Sequence, residues 1–340
     1  MTINEQNVRR AGIYFFFDPQ GIVDNYVFYF LNDLCKNLEE LYIVCNGQVQ
    51  EEDQKRLRQC TPHVIIRKNE GLDVGAYLEG LRAIGFERLK DFDELLLLNF
   101  TIFGPLYPLS EMFEVMAARD LDFWGITSHG QAKRTQTELI LPHVQSHFTA
   151  IRKSMLQSPA FQDYWEQLPE IRTYEESVMC HEVVFTRHFE ELGFHWATYT
   201  GTEDMAEMCP NPVMTTPLLL IRDRRCPIIK RRSFFQDYGN LLHDTNGNVA
   251  REAFDYIRTQ LDYPVDLMWE NLLRTCNHSA LRRCLELNYI LPDQFELPHK
   301  RTLPKAALWL HIYYVDLAKQ CCTYAGNMPE GTDILITTNT

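Results

Sequence analysis

Positive charge is what this chain is short of. Its 340 residues carry 33 Lys and Arg against 46 Asp and Glu, a formal net charge of −13. That balance argues against a general nucleic-acid binder, which needs a basic footprint. It leaves room for a small anionic ligand, because a local basic pocket can sit in an acidic protein. Long apolar runs are missing too. ELLLL and PLLLI are strand-sized, far below the roughly 18–20 residues of a membrane span. The opening MTINEQNVRR has no apolar core, which predicts no signal peptide. There are ten cysteines but no C-x-x-C and no Cys/His pair at zinc-ligand spacing. A reducing, cytoplasmic compartment and no structural metal are therefore expected. The dinucleotide fingerprint G-x-G-x-x-G is absent as well.

What is present is an alternation of short apolar runs and amphipathic stretches. AGIYFFF (11–17), LYIVC (41–45), HVIIR (63–67), ELLLL (94–98) and DFWGIT (122–127) read as strands. Between the first two, Val27, Phe30, Leu31, Leu34 and Leu38 follow helical spacing. Continuous apolar strands separated by helices indicate a mostly parallel sheet covered on both faces. Ligands of such sheets bind at the carboxyl ends of the strands. The loops at 18–21, 46–48, 68–75 and 99–105 are therefore expected to gather on one edge. Beyond 127, QSHFTAI (145–151) reads as a strand, 154–168 and 174–192 as helices, and FHWATY as a further strand. From about 216 to 300 the chain is Pro-punctuated and mostly helical. The segment ALWLHIYYVDL…GTDILITTN (307–339) resembles the strand–helix–strand at the N-terminus. Two strands cannot close a core alone, so it is expected to add to the first sheet or to begin a truncated second domain. The expected organisation is a catalytic α/β domain over 8–215, a helical extension over 216–300 and the start of a second α/β unit over 301–340.

Four constellations could carry chemistry. The first is Arg67-Lys68-Asn69-Glu70-Gly71-Leu72-Asp73-Val74-Gly75, after a strand and opening a helix. Glycines let backbone approach a ligand, and a helix N-terminus offers N–H groups to an anion. Asp73 suits a ribose or base, and Arg67 a phosphate; the plain alternative is a βα turn with Asp73 as cap. The second is Asn99-Phe100-Thr101, at the strand end where many nucleotide-sugar enzymes hold a divalent ion with D-x-D. Asn and Thr are poor hard-cation ligands, so weak or no dependence on Mg²⁺ or Mn²⁺ is expected. The third is the helix over 174–192, where Glu182 lies beside an apolar stripe of Val178, Phe185, Phe189 and Leu192. A half-buried carboxylate there is expected to have a raised pKa and to act as general base, the alternative being a surface pair with Arg187. Neighbouring His181 is a weaker candidate. The fourth is basic: Arg222, Arg224, Arg225, Lys230, Arg231 and Arg232. These suit a diphosphate leaving group, or a solvated or membrane-facing surface. Lys153 is a further phosphate candidate, Asp122 a second catalytic carboxylate, and Gln145-Ser146 a possible pocket wall. Trp124 suits either a sugar-stacking wall or core.

Taken in order, NEGLDVGAYLEGL, NFTIFGPLYPL, DFWGIT, VQSHFTAIRKS and HEVVFTRHFEELGF resemble the rhamnan synthesis protein F family. The resemblance runs from about residue 11 to the C-terminus. It implies a GT-A-like nucleotide-sugar-binding fold and transfer of a deoxyhexose, typically L-rhamnose from dTDP-rhamnose, onto a lipid-linked glycan, with possible peripheral membrane association. Family members usually continue past the point matching Thr340. The family's usual Asn-Asp-Ser-x-x-Gly-Pro block differs here: Phe100 stands for its Asp and Thr101 for its Ser. A non-catalytic nucleotide-sugar or glycan-binding module is the reading that Phe100 favours.

Overall fold

The computed structural model describes residues 2–3, 7–133, 139–205, 209–240, 249–287 and 305–339. Contacts divide the chain into two compact units, 1–288 and 289–340. The helices over 217–284 therefore belong to the same unit as the sheet.

In the first unit the apolar runs become seven strands: β1 (Arg10–Phe17), β2 (Glu40–Asn46), β3 (His63–Arg67), β4 (Glu94–Asn99), β5 (Phe123–Gly125), β6 (Phe148–Arg152) and β7 (Trp196–Thr198). Their order across the sheet is β7-β5-β6-β4-β1-β2-β3. All neighbours pair in parallel except β6, which runs antiparallel to both β4 and β5. Side chains alternate between faces along each strand. Tyr14, Phe16, Leu96 and Leu98 pack on one face with α1 (Asn25–Leu34) and α4 (Leu109–Ala117). Ile13, Phe15, Leu95 and Leu97 pack on the other with α3 (Leu72–Ile84) and α5 (Pro159–Glu166). Between β2 and β3 in the chain lies α2 (Glu51–Cys60). Two-sided burial is why these strands read as unbroken apolar runs.

The amino ends of the strands are locked by charge. Buried Glu94 pairs with Arg10 Nε at 2.6 Å and Arg152 Nε at 3.4 Å, and accepts the Trp124 indole N–H at 2.7 Å. Trp124 is thus core rather than a sugar wall.

One long helical segment, α6, is assembled from Tyr174–Ser177, a π-turn over Val178–Glu182, and Val183–Glu191. Its start is fixed by a capping box: the Thr173 hydroxyl accepts from Glu176 N, and the Glu176 carboxylate accepts from Thr173 N at 3.1 Å. After β7 come α7 (Pro217–Arg224), α8 (Val249–Gln260), α9 (Asp266–Thr275) and α10 (His278–Cys284). Between α7 and α8, Ile229–Lys230 pairs antiparallel with Ile102–Phe103, just beyond β4. In the second unit β8 (Ala307–Ile312) and β9 (Asp333–Thr338) pair in parallel, joined through α11 (Ala318–Ala325). No helix among the described residues is long and apolar enough to cross a membrane.

Candidate functional site

A cleft of about 620 Å³ opens at the carboxyl ends of β1 and β4. Parallel strands all present their carboxyl ends to one edge, so the loops that follow them converge there. Asn69, Leu72 and Asp73 enter from the loop before α3, and Asn99, Phe100 and Thr101 from the end of β4. Gln145 and Ser146 come from the segment before β6, Ser177 and Glu182 from α6, and Lys230 and Arg232 from beyond α7. Aromatic walls are supplied by Phe15, Phe17, Tyr174 and Tyr238. The loops at 18–21 and 46–48 contribute nothing to this wall. Asp18 is instead held by Arg274 at 2.7 Å.

The turn before α3 is tight. Gly71 and Leu72 both have positive φ, at 73° and 53°. A Cβ on Gly71 would lie 2.9 Å from Gly75 Cα, and one on Gly75 would lie 2.9 Å from the Glu70 carbonyl. Arg67 closes the turn from behind, donating to Asn46 Oδ1 at 2.9 Å and to Glu70 O at 2.7 Å. Arg67, Gly71 and Gly75 therefore stand behind the cleft wall, shaping the loop that delivers Asp73. The expectation that both glycines would line the cleft gives way for that reason.

Asp73 Oδ1 accepts the Ser177 hydroxyl at 2.8 Å. Burial raises its pKa, the Ser177 hydrogen bond opposes the shift, and the Glu182 charge adds to it. Asn99, buried at the strand end, accepts the Thr101 hydroxyl on Oδ1 at 2.6 Å. Lys230 Nζ in turn lies 3.4 Å from Thr101 Oγ1. The short strand pairing fixes that placement, since Lys230 lies opposite Ile102. Burial pushes the Lys230 ammonium down to about 8; Glu182 pulls it up, Arg232 pushes it further down, and Asp73 pulls it up.

Glu182 departs from its sequence reading. Burial by itself would raise its carboxyl, yet His143 when protonated, Lys230 and Ser146 together hold it well below the usual range. Its Oε2 accepts both the Ser146 backbone N–H, at 2.9 Å, and the Ser146 hydroxyl. Nor is it a surface partner of Arg187, which pairs with Glu191 at 2.6 Å. The π-turn is what brings it into the cleft. Its i→i+5 closure stacks residues five apart, so Ser177 and Glu182 share one face, and such turns are frequent at functional sites. Of the apolar stripe, Phe185 and Phe189 are core, Val178 lines the cleft and Leu192 is exposed. His181 is buried, with Nδ1 3.0 Å from the Tyr164 hydroxyl, and burial lowers it to about 4.

Asp122 and Lys153 are at the opposite edge of the sheet. Asp122 precedes β5, where it holds the Ser154 hydroxyl at 2.5 Å and the His195 backbone N–H at 2.8 Å. Lys153 follows β6 and binds Asp93 at 3.2 Å. Because β6 runs antiparallel, its carboxyl end lies beside the amino end of β4, away from the cleft. The basic run also disperses. Arg222 pairs with Asp223, Arg224 with Asp204 and Arg225 with Glu111, while Arg231 turns to Asn271 and the rings of Tyr26 and Phe100. Only Lys230 and Arg232 of the six line the cleft. Arg232 donates to the Tyr174 hydroxyl at 2.5 Å.

Sequence reasoning missed Ser177, Tyr174, His129 and Tyr238. His129 and Tyr238 each precede a glycine, and Tyr174 and Ser177 flank Glu175 and Glu176, but neither context marks a ligand site by itself. The Thr173–Glu176 capping box was the one local signal that α6 begins at Tyr174.

A model of the rhamnan synthesis protein F family matches residues 41–340. The chain belongs to that family. An uncharacterized protein, y4gN of Sinorhizobium fredii, is 24% identical over 195 residues, covering 57% of this chain and 49% of its own length. The chain thus spans about half the length of the curated relative it matches. Among solved structures, the glycosyltransferase GlyE of Streptococcus pneumoniae is 11% identical, with TM-score 0.37 over 98% of this chain and 76% of that one. A cytidylyltransferase from Leptospira borgpetersenii is also 11% identical, with TM-score 0.34 over 59% and 79%. Likeness at those scores carries no argument, and the fold class of this family member rests on its own seven-stranded, mostly parallel sheet.

Proposed function

We propose that this chain is the nucleotide-sugar-binding and catalytic unit of a glycosyltransferase. It moves a deoxyhexose, L-rhamnose from dTDP-rhamnose, onto a lipid-linked cell-wall, capsule or O-antigen glycan, with inversion. The observation that carries the reading is the cleft at the carboxyl ends of β1 and β4, lined by three carboxylates, Asp73, Glu175 and Glu182, and two cations, Lys230 and Arg232. Family membership supports the same direction.

The roles follow from chemistry. Lys230 and Arg232 take the diphosphate, whose charge grows as the anomeric bond breaks. Among the described residues no group of three or more His, Cys, Asp or Glu is placed to hold a metal ion. Lys230 beside Thr101, with Asn99 in place of an acid, fits charge neutralisation by side chains. Asp73, Asn69 and Ser177 offer hydrogen bonds to ribose or base. Glu182 is the base. The acceptor oxygen attacks the anomeric carbon and its proton passes to Glu182. The bond to the diphosphate breaks, and its electron pair leaves with dTDP. Without donor, Lys230 adds to His143 in holding down the basicity of Glu182. A bound diphosphate turns that positive field onto itself, and Glu182 becomes a better base.

A second reading, a binding module without turnover, is favoured by Phe100 standing where the family has Asp. The deciding experiment incubates the protein with dTDP-rhamnose and related donors and measures dTDP release and transfer. Turnover is expected. Glu182→Gln should keep dTDP affinity while kcat falls by roughly 10²–10⁴. Tight binding with neither transfer nor hydrolysis assigns the module.

A further inference from the structure

Behind Glu182, on the side away from the cleft, lies His143. Its side chain is 3% exposed, and its Nε2 is 3.8 Å from Glu182 Oε1. Its Nδ1 is 2.8 Å from the Leu141 carbonyl. A carbonyl oxygen only accepts, so Nδ1 must carry a proton in either charge state. The free position for a second proton is therefore Nε2, and the atom facing it is a carboxylate oxygen of Glu182. The other Glu182 oxygen is occupied by both donors of Ser146. Each oxygen thus has a separate task. The backbone holds His143 in place, since the neighbouring Val144 N–H donates to Thr186 Oγ1 at 3.0 Å. The His129 ring stacks on His143 with centroids 5.2 Å apart and planes within 7°. His129 lines the cleft, its Nδ1 lies 2.7 Å from Gly130 O, and burial lowers its pKa. A neutral His129 leaves its partner free to take a charge.

We infer that His143 is the second half of the base: it receives at Nε2 the proton that Glu182 takes from the acceptor hydroxyl. The inference rests on the glycosyl-transfer reading and goes beyond it by adding a positioning and proton-storing residue outside the cleft. In the balanced step the acceptor O–H bond breaks and an Nε2–H bond forms by way of Oε1. The pair passes from carboxylate and neutral imidazole to carboxylate and imidazolium. That ion pair is stabilised by attraction across a buried gap, and the charge of the leaving diphosphate balances it. The proton returns to water through Glu182 when products depart. Among the described residues, the titratable groups that face His143 are Glu182 and His129.

The test uses two variants of the full chain. His143→Asn keeps an amide donor for the Leu141 carbonyl and removes the nitrogen that faces Glu182. His143→Gln puts a non-titrating amide where Nε2 stands. With dTDP-rhamnose as donor, the wild-type kcat–pH profile should show an acid limb. Both variants should lose that limb and at least tenfold in kcat, with donor KM unchanged. A limb that stays in place, or an unchanged kcat in both, overturns the inference. A readout free of turnover separates this from failure of the functional reading. The His143 ring nitrogens are followed by NMR in the wild type and in Glu182→Gln, and removal of the carboxylate should move the Nε2 resonance. An unmoved resonance also overturns it, whatever the substrate proves to be.

Discussion

At the scale of single residues, charge in this chain is worth most where it is out of water. Lys230 carries the pH dependence of the cleft. Its folded-state pKa of about 8 is below the ordinary lysine value, so between about 8 and 10.4 the unfolded chain binds more protons. Its contribution to stability therefore rises with pH across that window. Anion binding runs the other way, because only the ammonium holds a diphosphate. Affinity for dTDP, measured by calorimetry, should be full below about pH 8 and decline above it. Lys230→Arg, charged throughout, should abolish the decline. A different penalty is expected at Glu94, which neutralises Arg10 and Arg152 in the interior. Glu94→Gln leaves two buried guanidinium groups short of charge. Denaturant unfolding should show a loss of about 3–5 kcal/mol with the cleft chemistry untouched.

At the scale of elements, two irregularities build the cleft. One is the left-handed turn at Gly71 and Leu72 that delivers Asp73. A Cβ at Gly75 meets the Glu70 carbonyl at 2.9 Å, backbone that cannot step aside cheaply. Gly75→Ala should cost about 1–3 kcal/mol by chemical denaturation, and should weaken dTDP binding because Asp73 moves with the turn. The other is the π-turn in α6.

At the scale of the whole molecule, an acidic protein concentrates two cations in its cleft and neutralises most of the remaining basic run with local carboxylates. If side chains do the work of a divalent ion there, EDTA should leave dTDP affinity and turnover unchanged. Loss of activity restored by Mn²⁺ would point instead to a metal held by Asp73 and Glu182. The apolar runs alone determined the strands, their burial on both faces and the edge at which the cleft opens, because side-chain period and two-sided covering are local properties of sequence. Family membership, too, was legible in the ordered blocks. Asp73, Asn99, Thr101, Glu182 and Lys230 were within reach because each sits at a strand end or a charged motif. Tertiary structure decided the rest. The reversed direction of β6 took Lys153 to the far edge, and no local pattern reports a strand's direction; Asp122 is there because it precedes β5, which runs with β4. The pairing of Ile229–Lys230 with Ile102–Phe103 chose one lysine from six basic residues. The sign of the Glu182 shift depended on His143, Lys230 and Ser146, three groups separated in sequence by up to 87 positions (230 − 143) that only the fold brings together.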